Sequence, residues 1–344
     1  HRWRPAWYLE VEKDGERIPL YWRGARTEWG ADIEPLERDG KVMQVLEAHG
    51  VRVPHVFGLH LDPPGLLMER RPGVPPNVHA AASPADGEAI LDEYLGELAK
   101  IHAIPVREFE KVGLRAKSSG AESCLGETPA MEEGYRAAKN EPDPMIEFLI
   151  KWVRRNVPRD RERQTLELCD SGQCLWEGRR VTALLDFELA YIGDPAADLA
   201  GLRTRDLSEP LGDLCRAMAK YGEITGEEID LAAVNYHTVR FSLSTPMPLA
   251  GMCTRPLEFV NYAQYLAWYL VYGRFALEVV AHMQGIDLDP PQLPEAAPTR
   301  RAAAAGHLVD LLDPKQAGDD GKRAYDLDRA YRVAQYLERS ERYG

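Results

Sequence analysis

The sequence predicts an α+β chain of two lobes: a small β-rich amino-terminal lobe over residues 1–70 and a larger, mainly helical lobe over residues 71–344. Three observations carry this. Short strand-like runs fill the first 70 residues and enclose a single helical pattern. The stretch "RPGVPPNVHAAASPADGE" (71–88) then has the Pro-, Gly- and Ala-rich composition of a boundary. Beyond it almost every apolar series recurs at helical spacing, interrupted by one hairpin. A chain of 344 residues is also long for one core, which favours two lobes.

The elements follow in order. Residues 7–12 (WYLEVE) and 17–23 (RIPLYWR) flank Asp14-Gly15, a strong hairpin turn. In "IEPLERDGKVMQVLEAHG" the positions Val42, Val45 and Leu46 mark a helix that Gly50 closes. "VRVPHVFGLHLD" and "GLLMER" read as two further strands, with a hinge near 68–73. Ile90, Tyr94, Leu98 and Ile101 then form one helical stripe, and Ile146, Leu149, Trp152 and Val153 another over 144–157. The hairpin "CDSGQCLWEGRRVTALLDFE" (169–188) follows. Segments 209–222, 227–244, 256–284, 300–312 and 323–341 read as helix, and Pro-rich 287–298 separates the last of them.

The net charge of −13 argues against a nucleic-acid backbone as partner and suits a solvated acidic surface or a cationic ligand. Five cysteines at irregular spacing argue against a disulfide framework and for a reducing, cytoplasmic setting. No apolar run is long enough to cross a bilayer, since "YLAWYLVYG" stops at Arg274, so no membrane partner is expected.

Function turns on the hairpin. Asp170 precedes its first strand and Asp186 ends its second, with Glu188 two residues on. Two carboxylates on one hairpin repel unless a cation or proton lies between them. A metal on one and a hydroxyl proton on the other is what phosphoryl transfer needs. The plainer alternative is a turn cap at Asp170 and a solvated strand end at Asp186.

The segment "VTALLDFELAYIGDPAADLAGLR" (181–203) resembles the aminoglycoside phosphotransferase and choline kinase-like family, whose fold is protein-kinase-like. The matching residues are Asp186, Glu188, Gly193-Asp194-Pro195 and Asp198-Leu199-Ala200. "LEAHGVRVPHVFG" with "GLLMER", and "LGELAKIHAI", resemble that family's first helix, its strand into the hinge and the opening helix of its large lobe. The resemblance implies a bilobal protein-kinase-like fold with ATP and magnesium as cofactors and a small-molecule hydroxyl as substrate. It implies Asp170 as catalytic base and Asp186 as magnesium ligand. Met68, Glu69 and Arg70 would meet adenine through backbone groups. Asp194 would anchor the catalytic loop, and Asp198 would begin a helix.

The chain departs from the family in places. His-Gly-Asp reads Leu168-Cys169-Asp170. The second metal ligand, normally Asn, falls near Gln173 or Cys174; Gln173 offers a carbonyl oxygen, whereas Cys174 is a soft ligand ill suited to magnesium. The phosphate-binding Lys and its Glu partner are replaced by Arg23 with Asp39 or Glu37. No Gly-rich phosphate loop precedes the first hairpin in the sequence as it stands. Two readings follow: an ATP- and magnesium-dependent small-molecule phosphotransferase, or a degenerate kinase-like protein that binds a ligand or partner without transfer. An unrelated metal hydrolase is a third, without a supporting motif.

Overall fold

The computed structural model describes residues 4–25, 33–75, 83–210, 212–256, 261–290, 292–296, 299, 301–318 and 320–343. Residues 76–82 of the expected boundary, Leu211, residues 257–260 and residue 300 of expected helices, and 291, 297 and 298 of the Pro-rich stretch lie outside them. Described residues divide into two compact units, His1–Pro129 with Trp152–Phe241, and Ala130–Lys151 with Ser242–Gly344.

The first unit opens with β1 (Ala6–Lys13) and β2 (Glu16–Gly24), joined through Asp14 at φ 55° and Gly15 at φ 82° as the turn signal requires. Helix α1 (Glu34–Ala48) and strands β3 (Val56–Leu61) and β4 (Pro64–Glu69) complete an antiparallel sheet of order β1-β2-β4-β3. Gly65 on β4 is needed for close approach, because a Cβ there would lie 2.4 Å from the Trp22 indole. The α1 face against the core is Leu36, Asp39, Gly40, Val42, Met43 and Leu46. An ionised aspartate on that apolar stripe is costly unless it is paired or hydrogen-bonded.

The chain then crosses toward the hairpin. Gly73, at φ 112°, lies so near Trp176 that a Cβ would meet its carbonyl oxygen at 2.6 Å. Val74 and Trp176 exchange both backbone hydrogen bonds at 3.0 Å. Thr182 Oγ1 donates to Pro72 O at 2.6 Å, and Arg71 donates to Thr182 O from Nε at 3.2 Å and Nη2 at 3.0 Å.

Helix α2 (Pro84–Ala103) is capped by Ser83, whose Oγ accepts the Asp86 N–H, and buries Ile90, Tyr94, Leu98 and Ile101 completely. Short helices α3 (Val106–Glu110) and α4 (Gly120–Leu125) follow, then α5 (Thr128–Ala138) and α6 (Pro144–Arg155), whose Ile146, Leu149, Trp152 and Val153 are buried as the pattern predicts. The hairpin is β6 (Cys174–Glu177) with β7 (Arg180–Leu184). It sits beside a small pair that the sequence did not signal, β5 (Thr165–Glu167) with β8 (Tyr191–Gly193). Strands of three residues are too short for a period to register.

Helices α7 (Ala196–Arg205), α8 (Leu214–Thr225) and α9 (Leu231–Ser244) come next. The helix expected over 209–222 starts instead at Leu214, where Asp213 accepts the N–H groups of Cys215 and Arg216, and closes at Gly226 in the left-handed region. In the second unit α10 (Pro246–Thr254) packs with α11 (Tyr262–Met283), followed by α12 (Ala302–Leu311) and α13 (Gly321–Tyr343). Trp268 stacks on Tyr265 at 5.9 Å, and both it and Tyr269 pack on the Leu249–Tyr265 cluster, a core role. No helix among the described residues is long and apolar enough to cross a membrane. All five cysteines are free thiols.

Candidate active site

Arg23 leaves β2 toward the cleft and is the centre of an ion-pair cluster. Its Nη1 lies 3.1 Å from Asp39 Oδ2; its Nη2 lies 2.5 Å from Asp186 Oδ1 and 2.9 Å from Glu188 Oε2. Asp39 is fully buried, and its Oδ1 accepts the Phe187 N–H at 2.9 Å. One helix carboxylate thus holds both the strand cation and the backbone just beyond Asp186. Burial pushes Asp39 up to about 6 against the pull of Arg23. Glu37, the other sequence candidate, pairs instead with Lys41 at 2.7 Å on the exposed side of α1.

Burial opposes the charge of Arg23, but Asp39, Asp186 and Glu188 together more than offset it, so the guanidinium is held firmly protonated. Asp186 responds in kind. Burial alone would raise its pKa; the Arg23 charge and hydrogen bond, with one from Gln173, hold it below the usual carboxylate range.

Asp170 and Gln173 sit across from Arg23. Gln173 Nε2 donates to Asp170 Oδ2 at 2.7 Å and to Asp186 Oδ2 at 2.8 Å. Hairpin closure sets this up, since Cys174 pairs with Leu184 and Leu185 N donates to Gln173 O at 3.1 Å. Asp170 Oδ1 takes 2.5 Å from Arg205 Nη2, while Arg205 Nε donates to Ser171 O at 2.8 Å and Nη1 to Glu209 at 2.5 Å. The Asp170 side chain keeps 38% exposure amid crowded neighbours. That crowding raises its pKa, and Arg205 pulls it back only in part.

Backbone geometry is unusual at both acids. Asp186 has φ 72° and Cys169, next to Asp170, has φ 67°. Aspartate tolerates the left-handed region; cysteine, standing where the family has glycine, does so at a cost of about 1–2 kcal/mol.

The loop is held from behind by Asp198 rather than by Asp194. Asp198, in the first turn of α7, accepts the Leu168 N–H at 3.0 Å, the Ser171 hydroxyl at 2.5 Å and His102 Nε2 at 3.0 Å. His102 is buried, and its Nδ1 meets the Tyr221 hydroxyl at 2.6 Å. Asp194 faces elsewhere: it pairs with Arg161 through two 2.8 Å bonds and with His237 Nε2 at 3.1 Å. The expected anchoring by Asp194 is therefore corrected. The Gly-Asp-Pro acid ties β8 to α9, and the acid four residues on ties the loop. Leu168, in place of histidine, packs into the main core, and Tyr94 takes the Gly172 N–H at 2.8 Å.

A cleft of about 640 Å³ opens on this cluster. Tyr21, Met68, Leu175 and Leu185 supply apolar wall, and Arg23, Asp186 and Glu188 supply charge. Tyr21 and Arg23 are two apart on β2, so they share a face about 7 Å apart. Met68, Glu69 and Arg70 all line the cleft. The Glu69 and Arg70 N–H groups are engaged by His55 O at 2.8 Å and Pro19 O at 3.1 Å, so these two donors are already taken. Arg70 lies over the Tyr8 ring at 4.6 Å.

Two residues of this site had been missed in the sequence. Arg205 lies in "GLRTRDL", which reads as a solvated helix end; its spacing from Asp170 carries no signal. Arg4, whose Nε and Nη2 lie 2.8 and 2.7 Å from Glu188, precedes the first strand, and nothing in its sequence neighbourhood signals a role.

A sequence model of the family described as "Phosphotransferase enzyme family" matches residues 13–233, more than half of the chain. Acyl-CoA dehydrogenase family member 10 of Mus musculus is 30% identical over 177 residues, 48% of this chain and 16% of that protein. Acyl-CoA dehydrogenase family member 11 of Homo sapiens is 28% identical over 127 residues, 34% of this chain and 15% of that protein. The matches thus span about one sixth of these relatives' length. Among solved structures, a putative aminoglycoside phosphotransferase from Ralstonia eutropha JMP134 superposes with a TM-score of 0.60 at 17% identity, covering 83% of this chain and 94% of that one. A thermostable mutant of aminoglycoside phosphotransferase APH(4)-Ia does so with a TM-score of 0.57 at 11% identity, covering 81% and 92%. A further APH(4)-Ia structure, in ternary complex with ADP and hygromycin B, has a TM-score of 0.54 at 12% identity, covering 80% and 94%. At these identities the likeness is one of fold: small antiparallel sheet, helical remainder, kinase-like arrangement.

Proposed function

From the premise that the chain belongs to the phosphotransferase enzyme family, we propose that it moves the γ-phosphate of ATP, with magnesium, onto a hydroxyl of a small molecule. The observation that supports this most is the convergence of Asp170 and Asp186 on the Gln173 amide, with Arg23 on the far side of Asp186.

Asp170 accepts the substrate hydroxyl proton as the phosphoryl group leaves ATP. Its pKa, raised by burial, makes it a better base than a solvated carboxylate. The donor set around Asp186 is all oxygen once the Gln173 carboxamide is turned over, which suits a hard divalent cation and excludes soft ones. Magnesium, when bound there, would screen the triphosphate charge and orient the γ-phosphate. Asp186 would hold it and Gln173 would assist. Arg23, released from Asp186 and still held by Asp39, neutralises phosphate charge. The cleft wall formed by Tyr21 and Met68, with hinge residues Glu69 and Arg70, receives the base. Domain roles follow: residues 1–70 contribute nucleotide contacts, and 71–344 the hairpin and the substrate side. We place the protein in a reducing, cytoplasmic setting, in keeping with its buried thiols Cys124, Cys169 and Cys174.

A second reading, a kinase-like binder without transfer, draws on Leu168 and on Arg23 occupying the metal-side acid. Against it, Asp198 holds the loop backbone in the absence of the histidine. The deciding experiment is a melting curve with ATP or ADP, with and without magnesium, followed by ATP turnover over a panel of hydroxyl compounds with Asp170→Asn as control. Magnesium-dependent stabilisation and turnover lost in the variant are expected. Nucleotide binding without turnover on any acceptor would favour the binder.

A further inference from the structure

We propose that Arg4 is a second phosphate-contacting cation of this site, acting beside Arg23; the inference rests on the phosphotransferase reading above. Arg23 by itself is poorly placed to attract a triphosphate, because it already faces three carboxylates, Asp39, Asp186 and Glu188. Of the other arginines lining the cleft, Arg71 is bound to Thr182 O and Glu69, and Arg70 lies over Tyr8. Arg4 differs from all of these. It is 5% exposed, lines the same cleft, and pairs with one carboxylate, Glu188, through Nε and Nη2. Its Nη1 has no hydrogen-bond partner among the described residues.

A buried guanidinium N–H without an acceptor is costly to keep. The chain nevertheless fixes Arg4 there. Ala6 pairs with Arg23 across β1 and β2, and Gly24 N donates to Pro5 O at 2.8 Å, so the backbone just after Arg4 is tied to the residue just after Arg23. Glu188 then accepts from both guanidinium groups, holding the two cations as a pair. A phosphate group supplies the missing acceptor, and its several oxygens suit a planar fork. Because Nη1 is occluded from solvent, nucleotide entry includes a small turn of the Arg4 head about its Glu188 contact.

The test is calorimetric titration of wild type, Arg4→Ala and Arg4→Lys with magnesium-ATP, magnesium-ADP and adenosine, alongside melting curves. Arg4→Ala is expected to weaken magnesium-ATP by roughly tenfold or more, with adenosine changed by less than about twofold, since a charge-assisted phosphate contact is lost and the base contacts are not. Arg4→Lys, which keeps the charge and loses the fork, falls between. If Arg4→Ala does not fold, the same selective loss in Arg4→Lys supports the proposal, and unchanged ATP affinity there overturns it. Equal weakening of ATP and adenosine also overturns it, since that marks a structural role. If the wild type binds neither nucleotide, the phosphotransferase reading falls and takes this inference with it. If the wild type binds ATP and the variants bind it equally well, the role of Arg4 alone is refuted.

Discussion

Asp170 and Asp186 share one hydrogen-bond donor: Gln173 Nε2 lies 2.7 Å from the first and 2.8 Å from the second. The two acids are sixteen residues apart and stand at opposite ends of a hairpin, yet a single amide bridges them.

Removing that amide with Gln173→Ala leaves two carboxylates facing each other with nothing between them. The expected outcome is a fall in apparent magnesium affinity of about 10–100-fold, the range for groups that orient a metal carboxylate. A magnesium titration of the ADP-induced melting shift measures it. An unchanged midpoint would mean that Gln173 neither holds nor orients the cation.

Arg205 controls the charge of Asp170. On the proposed mechanism transfer needs Asp170 ionised, so the rate is expected to rise with pH as Asp170 loses its proton. Burial moves that titration upward and Arg205 moves it back. Arg205→Gln therefore shifts the acid limb of the kcat profile to higher pH, and Arg205→Lys restores part of it. The stability loss should fall short of the ~3–5 kcal/mol of a fully buried pair, because Asp170 stays 38% exposed. A profile that does not move would remove Asp170 from the role of base.

Asp198 is wholly buried and accepts from Leu168, Ser171 and His102. Asp198→Ala strands those donors and is expected to cost about 3–5 kcal/mol, read by denaturant titration. Asp194→Ala should also destabilise the fold. In Asp194→Asn, however, the loop keeps its anchor and Asp170-dependent turnover should survive.

Cys169 gives a smaller, sharper test. Cys169→Gly relieves a left-handed residue by about 1–2 kcal/mol, but it loses a buried thiol and gains unfolded-state freedom, each worth about 1 kcal/mol. The terms nearly cancel, so the midpoint of unfolding should barely move. Cys169→Val, β-branched at φ 67°, should cost about 2 kcal/mol or more. Equal stability of the two variants would mean that the backbone relaxes.

Much of this site could be read along the chain, because its chemistry is carried by residue type at short spacing. The hairpin, its two acids and the Asp-Pro-x-x-Asp run all lie within 35 residues of sequence (169–203). The choice between Asp39 and Glu37 was also open to a helical wheel: Asp39 falls three after Leu36 and four before Met43, on the buried stripe, and Glu37 does not. What sequence could not give was the exchange of roles between Asp194 and Asp198. Both are buried acids near one helix start, and only their distant partners, Arg161 and His102, separate them. Arg4 and Arg205 were hidden for the same reason. A lone arginine has no period, and its meaning comes from a carboxylate 184 or 35 positions away.

The paired hydrogen bonds between Val74 and Trp176, with Arg71 and Pro72 fastened to Thr182, sew the connector onto the ribbon that carries both acids. Any breathing of the amino-terminal sheet must then pivot about this seam and cannot leave the ribbon behind. Amide deuteration at Val74 and Trp176 should accordingly be slow, and should mark the axle of the motion, whatever fills the space beside it.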